Sequence, residues 1–252
     1  MEFIGDIARK KANPSLSAIE AAKTELAVEI GKDSGLFYVP RLLNFDRDKG
    51  ILDFERLHSL VTLLQLAINK DGRLLEYSEK AGMALAVIHE QLVLPDEMKH
   101  ELPTEWIDST GENVFIHGDF ACINVCLNEP AGQLVILDWS AAPIIGRTPT
   151  FGSRYFDILW FISCAFRGAP GIRFLSWDAE GMADAFLKGY VKRSSAQNLN
   201  RFKDYLPKIY KLHRKKAWQL TRRRNPLRAA AYICPQMVMY SRLHKFLHSY
   251  EL

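Results

Sequence analysis

Three polar residues stand out by type and spacing in residues 114–140, VFIHGDFACINVCLNEPAGQLVILDWS: Asp119, Asn124 four intervening residues later, and Asp138. A carboxylate, an amide and a second carboxylate in that order suit phosphoryl transfer. The first accepts or orients the proton of an attacking hydroxyl, and the other two offer hard oxygen ligands to the magnesium that neutralises charge on nucleotide phosphates. Gly-Asp and Asn are also common turn residues, so a plain β-turn-β unit is the alternative. Identity, order and spacing together favour the chemical reading, because the apolar runs Val114–Ile116 and Leu134–Leu137 each lead into an aspartate.

With its neighbours, this pattern acquires a resemblance. His117-Gly118-Asp119, Asn124 and Leu137-Asp138-Trp139 resemble the aminoglycoside phosphotransferase and choline kinase family, relatives of the protein kinases, whose own pattern reads H-R-D, four residues, N, then D-F-G. The resemblance implies an α+β, bilobal protein kinase-like fold, with a small, N-terminally abbreviated strand-rich lobe over residues 1–57 and a mainly helical lobe over 58–252. It implies Asp119 as catalytic base, Asn124 and Asp138 as Mg2+ ligands, and His117 as a support of the loop. Asp157, after Arg154-Tyr-Phe, would brace that loop from a helix start. The implied activity is Mg2+-dependent transfer of the γ-phosphoryl of ATP or GTP to a hydroxyl of a small molecule.

The elements that must position these groups begin at the N-terminus. Ile7–Lys11 reads as a strand whose alternation puts Ala8 and Lys10 on one face, like the V-A-I-K strand that presents a phosphate-binding lysine. Lys11 is the rival lysine. Ser17-Ala-Ile-Glu20 is a capping box opening a helix to about Gly31, with Ile19, Ala22, Leu26 and Ile30 as its apolar stripe. Glu25, at the flank of that stripe, is the expected partner of Lys10, with Glu20 and Glu29 as alternatives. Tyr38–Leu43 and Gly50–Phe54 read as strands, and Glu55-Arg56-Leu57 resembles the hinge, so Glu55 and Leu57 are expected at the adenine.

The N-terminus departs from the family. Nine residues precede Lys10, with Gly5 their sole glycine, where the family has two strands joined by a phosphate-covering loop. The departure suggests weak nucleotide binding and appreciable hydrolysis unless the loop Ala141–Gly152 closes the cleft. It also keeps open a truncated product, or a non-catalytic kinase-like nucleotide-binding or scaffold protein that lacks the glycine-rich loop.

Further along, Glu79–Leu92 carries Leu85, Ile88 and Leu92 at helical spacing, and His89 at its end reads as structural. Ile158–Phe166 suits a buried helix rather than a membrane span, and Asp178–Arg193 a further helix. A hydrophobic fraction of 48% excludes disorder. Cys122, Cys126, Cys164 and Cys234 lack C-x-x-C spacing, which argues against metal or disulfide roles and, with no signal peptide visible, for a cytoplasmic location. Beyond Asn200, thirteen Lys and Arg face only Asp204 and Glu251. That balance favours a neutral or anionic acceptor over a polycationic aminoglycoside, and a peripheral contact with an anionic surface; no nucleic-acid module is visible.

Overall fold

The computed structural model describes residues 1–109, 112–142, 149–168, 177–194, 199–221 and 226–250, and the side chains of 199, 200, 202 and 216–236 lie outside that description. Strands β1 (Glu2–Ile4) and β2 (Ile7–Lys11) form a hairpin closed by Gly5-Asp6, with Ile4 opposite Ile7. With β3 (Leu42–Asp46) and β4 (Ile51–Glu55) they make an antiparallel sheet in the order β1-β2-β4-β3. In the β2/β4 register Arg9 faces Asp53, and the two form a bidentate ion pair at 2.7 and 2.9 Å. The period of two therefore turns Ala8 and Lys10 to the other face of β2.

Helix α1 (Pro14–Ser34) starts and ends about three residues outside the range expected from the Ser17 capping box. Asn13 is the cap, its Oδ1 accepting from the Ser15 N–H at 3.1 Å, and Pro14 sits at the first turn, where its missing N–H costs nothing. The Ser17 hydroxyl donates instead to the Pro14 carbonyl. The inward face is also different. Glu20, Lys23, Thr24, Ala27 and Gly31 are buried with Ile19 and Ile30, whereas Leu26 is exposed. Its buried side therefore joins part of the apolar stripe to polar residues, and the stripe alone does not mark it.

The segment expected as one strand over Tyr38–Leu43 divides. Tyr38 exchanges backbone hydrogen bonds with Leu134 and Ile136, and β3 begins only at Leu42. The chain then runs through residues 56–59 into β5 (Leu60–Thr62), α2 (Leu63–Asn69) and α3 (Leu74–Gln91). Strands β6 (Asn113–Phe115), β7 (Val125–Asn128), β8 (Gln133–Ile136) and β9 (Phe151–Ser153) complete two small sheets, β5-β7-β8 and β6-β9. Tyr38 thus ties the chain after α1 directly to β8.

Helices α4 (Tyr155–Arg167), α5 (Ala179–Arg193), α6 (Leu206–Thr221) and α7 (Pro226–Ser249) follow. Along α4, Tyr155, Phe156, Leu159, Phe161 and Ile162 have no exposed surface, and Phe161 stacks on Phe186 of α5 at 4.0 Å. Each such side chain contributes about 1.5–3 kcal/mol by leaving water. Helices α3 and α5 touch backbone to backbone. A Cβ on Gly82 would stand 2.0 Å from the Phe186 carbonyl oxygen, and one on Gly189 2.0 Å from that of Glu79. Only glycine allows this approach.

Half of the loop expected to act as a lid, Ala141–Gly152, falls outside the described residues, namely 143–148, and its last two residues, Phe151 and Gly152, belong to β9. Of the basic run, Lys211, Arg214 and Lys215 are exposed on α6, while the side chains of Arg222, Arg223, Arg224 and Arg228 lie outside the description, as does that of Cys234. No helix among the described residues is long and apolar enough to cross a membrane.

Candidate active site

Lys10 reaches from β2 into a cavity of about 450 Å³ whose wall includes Ala8, Phe54, Leu57, Leu60 and Ile136, with Glu20, Asn124 and Asp138 among its polar residues. Its ammonium donates to Glu20 Oε1 and to Asp138 Oδ1, both at 2.7 Å, and to Ser140 Oγ at 3.3 Å. Burial lowers the lysine's pKa, but the two carboxylates outweigh it and leave the group raised and charged. Buried Glu20 is pushed up by loss of water against the pull of Lys10. Exposed Asp138 is likewise raised by what burial it has, yet Lys10 and the Ser140 hydroxyl hold it below the usual carboxylate range. Its backbone is unusual for a residue with a side chain, at φ +55°, a conformation that concentrates at functional sites.

Glu25, the expected partner of Lys10, does not take part. It is exposed, and it follows Glu20 by five residues, which is about 140° around the helix. Once the helix begins at Pro14 and lays its polar face inward, Glu20 is the carboxylate that meets Lys10.

Asp119 stands in the loop after β6. Trp160 Nε1 donates to its Oδ1 at 2.7 Å, and Asn124 Nδ2 donates to its Oδ2 at 3.2 Å and to its carbonyl at 2.9 Å. Both carboxylate oxygens are thereby oriented. Burial pushes this carboxyl up to about 6, against the opposing pull of those donors. The shift makes Asp119 a stronger base that is still ionised at neutral pH.

Behind Asp119 the backbone is held by buried groups. Asp157 accepts the His117 N–H at 2.7 Å on Oδ2 and the Gly118 N–H at 2.9 Å on Oδ1. Its Oδ2 also meets His89 Nε2 at 3.1 Å, and His89 Nδ1 meets the Tyr190 hydroxyl at 2.8 Å. Burial alone would raise Asp157, yet its hydrogen bonds keep it a carboxylate with lowered pKa. From the opposite side, Lys23 of α1 donates to the His117 carbonyl at 2.5 Å. His117 itself accepts the Asp119 N–H on Nδ1 at 3.2 Å, and burial followed by the charge of Lys23 lowers it to about 3, so it is neutral.

At the other end of the cavity, Glu55 turns its carboxylate to the Tyr38 hydroxyl at 2.5 Å and Arg41 Nε at 3.3 Å. The N–H groups of Glu55 and Arg56 go to the Arg41 and Asp6 carbonyls, whereas no backbone hydrogen bond among the described residues uses Leu57.

The donor set suits one hard cation. No cluster of three or more His, Cys, Asp or Glu able to hold a metal occurs among the described residues, but the Asp138 carboxylate and Asn124 Oδ1 remain, since Asn124 Nδ2 is bonded to Asp119. Magnesium keeps several waters and takes phosphate oxygens, so two protein ligands are enough.

Sequence reasoning missed Trp160 and Lys23. Trp160 follows Asp157 by three residues on α4, and that spacing puts the two on one helical face. The same offset from Glu20 marks Lys23 on α1, but nothing in its residue type separates it from a solvated lysine.

Comparison with solved structures gives the fold. The chain superposes on a glucosamine kinase in complex with glucosamine, ADP and inorganic phosphate with a TM-score of 0.62 at 12% identity, over 97% of this chain and 78% of that one. A choline/ethanolamine kinase family protein from Mesorhizobium loti gives 0.53 at 14% identity, over 96% and 87%. Choline kinase LicA from Streptococcus pneumoniae gives 0.51 at 15%, over 97% and 86%. No family model and no curated protein matches the chain. The protein thus has the bilobal α+β fold of the choline kinase-like small-molecule kinases, and at these identities the likeness is one of fold.

Proposed function

We propose that this protein is a phosphotransferase that moves the γ-phosphoryl of ATP or GTP to a hydroxyl of a small molecule. The observation that carries the reading is one cavity lined by a lysine held between two carboxylates and by an Asn–Asp oxygen pair, whose asparagine is bonded in turn to Asp119, a carboxylate of raised pKa. The glucosamine and choline kinases of the same fold support the class.

In this reading Leu57 offers its free backbone groups to the base edge, and Ala8, Leu60 and Ile136 cover its faces. Lys10 meets the phosphates while Glu20 keeps its ammonium aimed. Asn124 and Asp138 would hold magnesium, which when bound neutralises charge on the phosphates. Asp119 accepts or orients the acceptor proton, its geometry preset by Trp160 and Asn124.

On the acceptor side, Trp160 lies parallel to His213 at 5.9 Å, and Arg167 Nη1 contacts His213 Nδ1. A guanidinium near this wall disfavours cationic acceptors, so a neutral or anionic hydroxyl compound fits better than choline, glucosamine or kanamycin. The test is ADP or GDP formation with Mg2+ against a panel spanning neutral sugars, anionic sugar derivatives and those three cations. Absence of nucleotide turnover with every acceptor overturns the phosphotransferase reading. Preference for kanamycin overturns the acceptor class alone.

A further inference from the structure

Lys23 is the one lysine of α1 that faces inward, with 1% of its surface exposed, and its ammonium donates to the carbonyl of His117, ninety-four residues away. Such a group is a poor way to stabilise a fold. Taking a cation out of water costs several kcal/mol, and an aliphatic side chain of similar volume packs as well or better. What the cation offers that an aliphatic chain does not is a directed hold on one carbonyl.

The position of that carbonyl gives the hold its meaning. His117 is two residues before Asp119, and its N–H is already fixed by Asp157 of α4. Both polar groups of one peptide-bearing residue are therefore gripped, the N–H from the helical side and the C=O from α1. The charges of Asp157 on α4, Glu20 on α1, Asp138 after β8 and Asp119 in the loop all favour the ammonium, with neutral His117 as the residue it contacts. Glu20, one turn before Lys23, aligns Lys10. A single helix thus touches both the phosphate-binding lysine and the loop of the base.

We infer that Lys23 is a positioning residue, which sets the placement of Asp119 through the His117 carbonyl and makes that placement depend on the seating of α1. The inference rests on the phosphotransferase reading for its catalytic consequence. Glu20 and Lys23 then divide the work of the helix, one acting on nucleotide affinity and the other on turnover. Movement of α1 away from the cavity would release Lys10 and the loop together.

The test uses the full chain, with Mg-ATP as the probe and ADP release as the readout, acceptor present or water alone. Lys23→Met should lower kcat about 100-fold, the usual consequence of a misplaced catalytic group, with the affinity for a non-hydrolysable ATP analogue unchanged. Lys23→Arg, which keeps the cation but not its shape, should recover part of the rate. Glu20→Gln should do the opposite, raising KM for nucleotide more than it lowers kcat. Hydrogen exchange of the peptide spanning residues 114–124 should quicken in Lys23→Met.

Wild-type kcat in Lys23→Met overturns the inference, as does equal loss of analogue binding and turnover in all three variants. If Lys23→Met does not fold, Lys23→Gln takes its place under the same criteria. A wild-type chain that releases no ADP with any acceptor sinks the phosphotransferase reading instead. In that case unchanged exchange over 114–124 overturns the positional link, and faster exchange upholds it.

Discussion

Asp119 and Asp138 both follow short strands, yet their surroundings are opposite in kind. Asp119 sits in a loop whose backbone is held by buried Asp157 and Lys23 and whose carboxylate is held by Trp160 and Asn124. Asp138 has a side chain 40% exposed, and its partners are Lys10 of β2 and the nearby Ser140 hydroxyl. Each hold on the loop fixes a different group, the His117 carbonyl, the His117 and Gly118 N–H groups or the carboxylate, so losing one is not made good by the others. The Lys10 corner rests on a few charge-assisted contacts that a bound phosphate can take over. Changes in the loop should therefore appear as lost chemistry or lost stability, and changes in the corner as lost affinity.

The largest expected effect is at Asp119, the proposed base. Asp119→Asn keeps the shape but not the proton acceptor, and should lower turnover by about 10²–10⁴-fold while nucleotide binding by calorimetry stays near wild type. Full activity in that variant would remove Asp119 from the chemistry and erase the contrast between the two aspartates.

Next comes Asp157→Ala, which strands the buried N–H groups of His117 and Gly118 together with His89. Urea denaturation should show a loss of about 3–5 kcal/mol, the range for breaking a buried charged network from one side. A small loss would mean that the loop is held mainly by packing.

The corner is sharpened by a pair of variants. Glu20→Gln should weaken binding of a non-hydrolysable ATP analogue about tenfold, a cost of about 1.4 kcal/mol, whereas Glu25→Gln on the exposed face should leave it unchanged. Equal effects would return the lysine's partner to an open question.

The smallest effect is a pH dependence of stability. Burial lowers Lys23 from 10.5 to about 8, against the pull of Asp157, Glu20, Asp138 and Asp119. Below pH 8 both folded and unfolded chains carry this proton, so the burial penalty is constant. Between about 8 and 10.5 only the unfolded chain binds it, so stability contributed by this group rises with pH there and levels off above. The stability difference between wild type and Lys23→Met, from urea curves at several pH values, should climb across that window. A flat difference would show that the ammonium is not desolvated as its burial implies.

The legibility of these features follows from their range. Asp119, Asn124 and Asp138 are readable because a short loop and a tight two-strand unit fix their separation, so spacing in the chain is nearly spacing in space. Lys10 is readable because strand alternation sets its face as soon as Ala8 is buried. Gly118 declares itself too, since at φ +88° any side chain would be strained. Asp157 and the helix it opens are local in the same sense.

The partner of Lys10 is a different kind of question. Glu20 and Glu25 are equally good helix residues, and only the seating of α1 against β2 and the His117 loop chooses between them. The apolar stripe of Ile19, Ala22, Leu26 and Ile30 misleads in part, because the buried side of that helix adds Glu20, Lys23 and Thr24 to Ile19, Ala27 and Ile30 and leaves Leu26 exposed. Tertiary contact also makes Lys23 a buried cation instead of a solvated one and brings Trp160 onto Asp119. It presses α3 onto α5 at Gly82 and Gly189 as well. Residue types and their spacing determined which groups could do phosphoryl chemistry. Which of them meet was decided by packing, since burial and opposing charge act only between residues that the folded chain has already brought together.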